Sequence, residues 1–473
     1  MNISKDEFNT LLKNKKNFII TNAINGDELT PIGVFQNLTS KNKALLESIG
    51  KDGNKSRYSI IAITPYKKVY GEKDIINIVD EKGSETLNID PLEYLKIETN
   101  KDIKSDFPFL GGAIGYFGYD MKKNYENIAD AKRDTLNVPD FYMMFYKNYI
   151  IFDHLMDTVY FAKTILADED NPLYEEIEKE FSSLEKEITT NRDIKSIDQG
   201  EKIEFNSNME KSQFEKMVTT AKEYIKNGDI FQVVLSQRFS GKFTSDEFSI
   251  YRKLRRANPS SYMFYIEYDE FKVLGSSPES LISVKDGIIK TNPIAGTRKR
   301  GNNDLEDEKI IEGLLNDEKE VAEHLMLVDL GRNDVGRVSE IGSVKVESML
   351  NPQKYSRVIH LTAMVSGKIK KDIHPLEGFK SVFPAGTLSG APKIRAMEII
   401  NELEEDKRGV YGGAVGYISF NGDIDFAIAI RTALLKDSIA YVQAGAGVVY
   451  DSIEENEYFE TYNKALGVME VMG

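Results

Sequence analysis

Gly412-Gly413-Ala414-Val415-Gly416-Tyr417-Ile418-Ser419-Phe420-Asn421-Gly422 is an apolar, glycine-rich run that closes on Asn-Gly. Asn-Gly between apolar runs signals a tight hairpin, because both residues tolerate the backbone that a two-residue turn demands. Lys285-Asp286-Gly287 is a second signal of this kind. Strands joined by tight turns pair antiparallel. Helical periodicity is interleaved with them. Phe214, Met217, Val218, Ala221 and Ile225 recur at helical spacing before Asn227-Gly228 supplies a stop. Residues 230–239 then alternate like a strand, and residues 58–63, 148–152 and 158–165 read as strands earlier in the chain. Helices and hairpins mixed along the whole length give an α+β class.

Working outward, Gly111-Gly112-Ala113-Ile114-Gly115-Tyr116 echoes the 412–417 run. Six residues fit two readings, a duplicated architecture or two glycine-rich strands packed closely. The chain has 473 residues, which suits a few domains or one large intertwined one. Residues 185–208 are polar and lack periodicity, so they read as a linker between an N-terminal part (1–190) and a second domain (205–473).

Composition removes several classes of function. A net charge of −15 argues against a nucleic-acid partner. No apolar run reaches the roughly 18 residues of a membrane span, and residues 1–16 lack the apolar core of a signal peptide, so no membrane partner and a cytoplasmic location are expected. The absence of cysteine excludes a disulfide, a thiolate nucleophile, a zinc–thiolate site and a cysteine-dependent glutaminase within this chain.

Four glycine-rich stretches, 292–301, 384–393, 412–417 and 443–449, are short of acidic charge. Gly296-Thr297 and Gly386-Thr387 each set a backbone N–H beside a hydroxyl, and Gly445-Ala446-Gly447 lets backbone approach a ligand. None carries the phosphate-loop or dinucleotide fingerprint. Residues 317–331 read as a helix and the chain leaving it, with Glu320 and Glu323 on one face; Glu457 and Glu460 repeat that spacing in a final helix, 454–471. A Glu-x-x-Glu pair is ordinarily solvated surface. Glu323, however, runs into Leu325-Met326-Leu327-Val328, where a carboxylate needs a partner. Hard oxygen ligands of this kind suit Mg²⁺. Arg431 and Lys464 add the cations that a carboxylate-bearing ligand needs. On pattern alone His360, inside Val358-Ile359-His360-Leu361-Thr362, reads as a hydrogen-bonded core histidine.

Phe231-Gln232-Val233-Val234-Leu235-Ser236-Gln237-Arg238, Ser277-Pro278-Glu279-Ser280, Pro293-Ile294-Ala295-Gly296-Thr297-Arg298, the block from Glu323 to Asp334 and Gly386-Thr387-Leu388-Ser389-Gly390-Ala391-Pro392-Lys393 follow one another in order. With Arg431, the Gln443 to Gly447 run and Asn463-Lys464-Ala465, they resemble the chorismate-utilising enzymes, most closely the large subunits of anthranilate synthases. The resemblance covers nearly the whole chain. It implies two orthogonally packed antiparallel sheets with helices outside, in four layers α/β/β/α, and a site between the sheets. It implies Mg²⁺ on Glu323 and Glu460, with Glu320 and Glu457 behind them through water. Gly296, Thr297, Tyr417, Arg431, Gly445, Ala446, Gly447 and Lys464 match contacts to chorismate. Glu279 matches the acid that protonates the departing 4-hydroxyl, help that so poor a leaving group requires. His360 matches the family's active-site histidine, and Thr387 is the expected contributor from the 384–393 stretch.

Relatives that add water carry a lysine where this chain has Gln232, and aminodeoxychorismate synthases often carry one in place of Ala295. Neither lysine is present. A neutral amide cannot serve as the base that a lysine amine becomes. The resemblance therefore implies ammonia addition to chorismate and loss of pyruvate, with ammonia from a separate glutamine amidotransferase subunit. An aminodeoxychorismate synthase, an inactive tryptophan-sensing relative and a phosphoryl-transfer enzyme are the alternatives. Leu45-Leu46-Glu47-Ser48, Arg57-Tyr58-Ser59 and Asn258-Pro259-Ser260-Ser261-Tyr262-Met263 resemble a feedback site for L-tryptophan, with Glu47, Ser48, Ser261, Tyr262 and Met263 as its candidate contacts. Ser261 stands where that family usually has proline.

Overall fold

Two strands of the sequence echo lie side by side. Gly112–Phe117 pairs antiparallel with Ala414–Ser419, and Gly115 faces Gly416, the fifth member of each copy. The computed structural model describes residues 1–49, 57–129, 132–190, 195–354 and 358–472, with Thr297 described in its backbone alone. Among these, the strands form two 12-stranded antiparallel sheets.

The first sheet runs Phe18–Asn25, Thr158–Ile165, Asn148–Asp153, Tyr58–Ile63, Ala44–Glu47, then Tyr262–Glu267, Phe271–Ser277, Thr432–Lys436, Ile439–Val448 and Gln232–Lys242, ending on the short Asn206–Ser207. Its seam joins Glu47 to Met263. Read outward from that seam, and setting aside the two-residue Asn206–Ser207, each half places its second, third, penultimate, last and first strands of this sheet in the same order. The second sheet, seamed at 115 and 416, also repeats. Phe141–Tyr146, Lys67–Glu72 and Ile75–Asp80 flank one side as Ile424–Ile428, Ser280–Lys285 and Ile288–Thr291 flank the other. The echo thus marks both a close glycine pairing and a duplicated strand order. Residues 1–190 and 205–473 contribute strands to both sheets, so the polar stretch between them joins two interleaved halves of one body.

Three cores account for the layers. Ile60, Ile114, Tyr116, Met144, Phe264 and Val273 fill the space between the sheets. Helices Pro31–Asn37, Tyr174–Thr190, Glu247–Ala257 and Glu454–Met469 cover the outer face of the first sheet through Phe35, Phe181, Tyr251 and Val468. Helices Pro91–Glu98, Glu318–Val338 and Pro375–Val382 cover the second through Leu95, Val335 and Phe379. The order is α/β/β/α, as the alternating strands require when both faces of each sheet must be buried. Truncating one such residue, Phe379, which packs on Phe117, Phe383 and Phe426, costs about 3–5 kcal/mol.

The Glu318–Val338 helix does not stop at Gly331. A Cβ there would only graze Pro293, Thr291 and Val365, so the glycine is where the helix lies against the second sheet. Packing outweighs the roughly 1 kcal/mol propensity cost of glycine in a helix.

Candidate active site

Gln232–Lys242 and Ile439–Val448 pair along ten positions, setting Val234 opposite Gly447 and Ser236 opposite Gly445. A Cβ on Gly447 would lie 2.7 Å from Gln232 Nε2. The missing side chain is therefore what lets the Gln232 amide cross this backbone and donate to Glu323 Oε1 at 3.2 Å. This contact ties the first sheet to the helix that covers the second.

Glu279 follows the end of Phe271–Ser277 and is buried. Burial pushes its carboxyl up to about 7, against the opposing pull of the Thr387 hydrogen bond and the Lys464 charge. Thr387 Oγ1 donates to Glu279 Oε1 at 2.9 Å. Thr387 itself rides on the short helix Gly386–Ser389. A Cβ on Gly386 would meet Leu330 Cδ2 at 2.1 Å, so glycine lets this turn press against the Glu318–Val338 helix and bring the hydroxyl to the acid. Both residues border a cavity with Asn292, Pro293, Leu330 and Asp334.

On the facing side, Ile294–Lys299 pairs with Val358–Lys368, and its register slips between Ala295 and Thr297. Gly296 occupies the slip at φ +66°, where a side chain is strained. Its carbonyl meets His360 Nδ1 at 3.2 Å, so Nδ1 is the protonated nitrogen in that bond. Burial lowers the His360 pKa; the Gly296 bond opposes this and the Arg431 charge adds to it. His360 is thus tied to the Gly296 backbone and lies within the field of Arg431. Arg431 is exposed, held at φ +50°, and paired with no carboxylate among the described residues. Lys464 Nζ contacts Glu460 at 2.7 Å and donates to the Gly445 carbonyl at 3.1 Å. Ala446 is buried between the two glycines.

The four glutamates are held separately. Arg298 pairs with Glu320 at 2.7 Å and with Asp317, the helix N-cap, at 2.9 Å. Glu323 takes the Gln232 amide and Glu460 takes Lys464. Glu457 keeps a buried Oε2 with no hydrogen-bond partner, and burial raises its pKa, with Glu460 adding to the rise. No group of three His, Cys, Asp or Glu side chains gathers at metal-binding distance among the described residues. An orphaned carboxylate oxygen whose charge is disfavoured nevertheless fits a hard cation, and all four donors are of the type that Mg²⁺ takes.

One expected contact is displaced. The Tyr417 hydroxyl donates to the Pro108 carbonyl at 2.9 Å, and its ring packs edge-on against Phe109 in the core between the sheets. The ring that meets the Gly445 backbone is Tyr411: a Cβ on Gly445 would lie 2.7 Å from its hydroxyl. Strand alternation explains the difference, because Tyr417 lies within Ala414–Ser419 while Tyr411 precedes the Gly412-Gly413 turn. The sequence signal was an aromatic ring immediately before a glycine pair.

At the first-sheet seam, Glu47 accepts from Tyr251 at 2.6 Å and from Arg255 at 2.9 and 3.0 Å. Ser48 Oγ is buried without a partner. Ser261 begins the turn into Tyr262–Glu267, and Met263 is buried on the same outer face as Glu47. Tyr262 faces the other way and donates to Asp425 at 2.9 Å. Strand alternation therefore separates Tyr262 from Glu47 and Met263.

The sequence profile of chorismate binding enzymes matches residues 41–470. The chain belongs to the chorismate binding enzyme family. Among family members, the anthranilate synthase component 1 of Lactococcus lactis subsp. lactis is 46% identical, over 95% of this chain and 98% of that one. The anthranilate synthase component 1 of Acetivibrio thermocellus is 42% identical over 99% and 97%. The crystal structure of anthranilate synthase component I from Streptococcus pneumoniae superposes with a TM-score of 0.81 at 42% identity, covering 94% of this chain and 98% of that one. The menaquinone-specific isochorismate synthase of Escherichia coli, 18% identical, shares the fold at a TM-score of 0.73 over 98% and 100%. No helix among the described residues of this family member is long and apolar enough to cross a membrane.

Proposed function

We propose that the chain is the chorismate-converting subunit of an anthranilate synthase. It joins ammonia to C2 of chorismate with departure of the 4-hydroxyl as water, and then eliminates pyruvate to leave anthranilate. The observation that carries the reading is the buried Glu279 carboxyl, held near a pKa of about 7 beside Thr387. A carboxyl poised there is protonated often enough at neutral pH to give its proton to the leaving oxygen, and general acids work best when so matched. Arg431, free of carboxylate partners among the described residues, and Lys464 supply the charges for the substrate carboxylates. Tyr411 and the Gly445–Gly447 backbone shape the wall beside them. His360, fixed through Nδ1 on the Gly296 carbonyl and within the field of Arg431, is the histidine of this site.

Mg²⁺ is the metal this reading requires, on Glu323 and Glu460 with Glu320 and Glu457 behind them; when bound it neutralises the ring carboxylate of chorismate. Gln232 stands where a base would be needed to activate water, and its amide cannot act as one. Ammonia needs no such base. It comes from a glutamine amidotransferase partner, the component that the relatives' designation "component 1" implies, since this chain has no cysteine. L-Tryptophan at the Glu47–Ser48 seam is the proposed inhibitor.

Purified chain with chorismate, Mg²⁺ and ammonium salt should release fluorescent anthranilate and equimolar pyruvate. An aminated product without pyruvate would instead make it an aminodeoxychorismate synthase. No turnover, with tryptophan still bound, would make it an inactive sensor.

A further inference from the structure

Arg408 is almost wholly buried, and its side chain lies outside the set of groups offered to the substrate. It uses every arm. Nε and Nη2 donate to the two oxygens of Glu404 at 2.8 and 2.6 Å, Nη1 to the Leu388 carbonyl at 2.8 Å, and Nη2 also to the Val234 carbonyl at 2.7 Å. Glu404 is filled in turn by the Ser236 N–H and hydroxyl at 2.8 and 2.9 Å. The guanidinium lies 4.4 Å from the Tyr119 ring and 5.6 Å from the Tyr411 ring.

Each bond reaches a different wall of the cleft. Leu388 follows Thr387, the donor to Glu279. Val234 is two residues beyond Gln232, whose amide reaches Glu323. Tyr411 puts its hydroxyl against Gly445. A buried ion pair is a poor source of stability, because desolvation offsets its attraction and a well-packed apolar pair often does as well. Stability therefore does not account for this pair, whereas the rigid fork of arginine is suited to fixing several acceptors at once.

We infer that the Glu404–Arg408 pair is a positioning device that holds the Thr387–Glu279 donor, the Gln232 amide and Tyr411 in mutual register from behind the cleft. This rests on the chorismate reading, so the wild-type chain must first make anthranilate in the same assay: a silent wild type sinks that reading and this one with it, whereas an active wild type with unaffected variants sinks this one alone.

The test compares Glu404→Leu/Arg408→Met, an apolar pair, with Arg408→Lys, which keeps the charge and loses the fork. Both should fold cooperatively, with kcat reduced at least roughly tenfold and the KM for chorismate within about twofold, the pattern of an interaction that matters only in the transition state. In a Thr387→Val background the further loss should shrink, because both changes disturb one hydrogen-bonded unit. Folded variants with wild-type kcat, losses that multiply in full with Thr387→Val, or failure of both variants to fold would each overturn the positioning role.

Discussion

Thr387→Val should move the alkaline limb of the pH–rate profile upward. The hydroxyl donates to Glu279 Oε1 at 2.9 Å, and the substitution removes that donor while nearly keeping the shape. A donor to a carboxylate favours the ionised form, so its loss makes Glu279 hold its proton more tightly. A hydrogen bond to a charged group is worth about 1.5–3 kcal/mol. At about 1.4 kcal/mol per pH unit this is a rise of roughly one to two units. The wild-type acid sits at about 7, so its protonated fraction, and kcat with it, declines as the pH passes that value. In the variant the decline begins at higher pH. The assay is anthranilate fluorescence across the pH range at saturating chorismate, with free ammonia rather than total ammonium held constant, because ammonia itself titrates. An unmoved limb, or one shifted to lower pH, would refute Glu279 as the proton donor held by Thr387.

Glu279→Gln should abolish turnover and stabilise the fold in alkaline solution. The folded pKa of about 7 lies above that of an ordinary glutamate, so the carboxyl favours folding only while protonated, and this is lost as the pH rises through 7. The gap corresponds to roughly 3 kcal/mol, an order of magnitude for what glutamine recovers at pH 8 and not at pH 4, read by thermal unfolding at both. Glu457→Gln should weaken Mg²⁺ binding in calorimetry while raising the Tm of the metal-free chain, since the orphaned oxygen is replaced by a neutral group; equal Mg²⁺ affinity would remove Glu457 from the metal site. Ser48→Phe should abolish inhibition by tryptophan while leaving the rate without tryptophan near wild type, because its buried, unpartnered hydroxyl is at the seam and not in the cleft. Equal inhibition of both proteins would place the regulatory pocket elsewhere.

The sequence reveals what local rules govern. Hairpin turns and helical periodicity sufficed for antiparallel sheets and the 111–116 echo for their repeat, while the motif blocks singled out Glu279, His360 and the four glutamates as candidates. It conceals what depends on partners distant in the chain. Gly331 looks like a helix stop until the strand it presses against is known. Tyr417 and Tyr411 flank the same glycines, and only the alternation of Ala414–Ser419 decides which ring enters the cleft. Arg408 carries no local mark, because its four acceptors come from three separate segments.

The two seams also set a condition on synthesis. Ala44–Glu47 and Gly112–Phe117 leave the ribosome with one edge each lacking a partner, and Gly416 follows Gly115 about 300 residues later. At elongation rates of roughly 5–20 residues per second that wait is roughly 15–60 s. For that interval the nascent first half exposes two strand edges with apolar faces, the surfaces most prone to pairing with the wrong chain. Expression at high level should therefore produce aggregates rich in incomplete chains, and holdase chaperones engaged during translation should raise the soluble yield more than a refolding step applied afterwards.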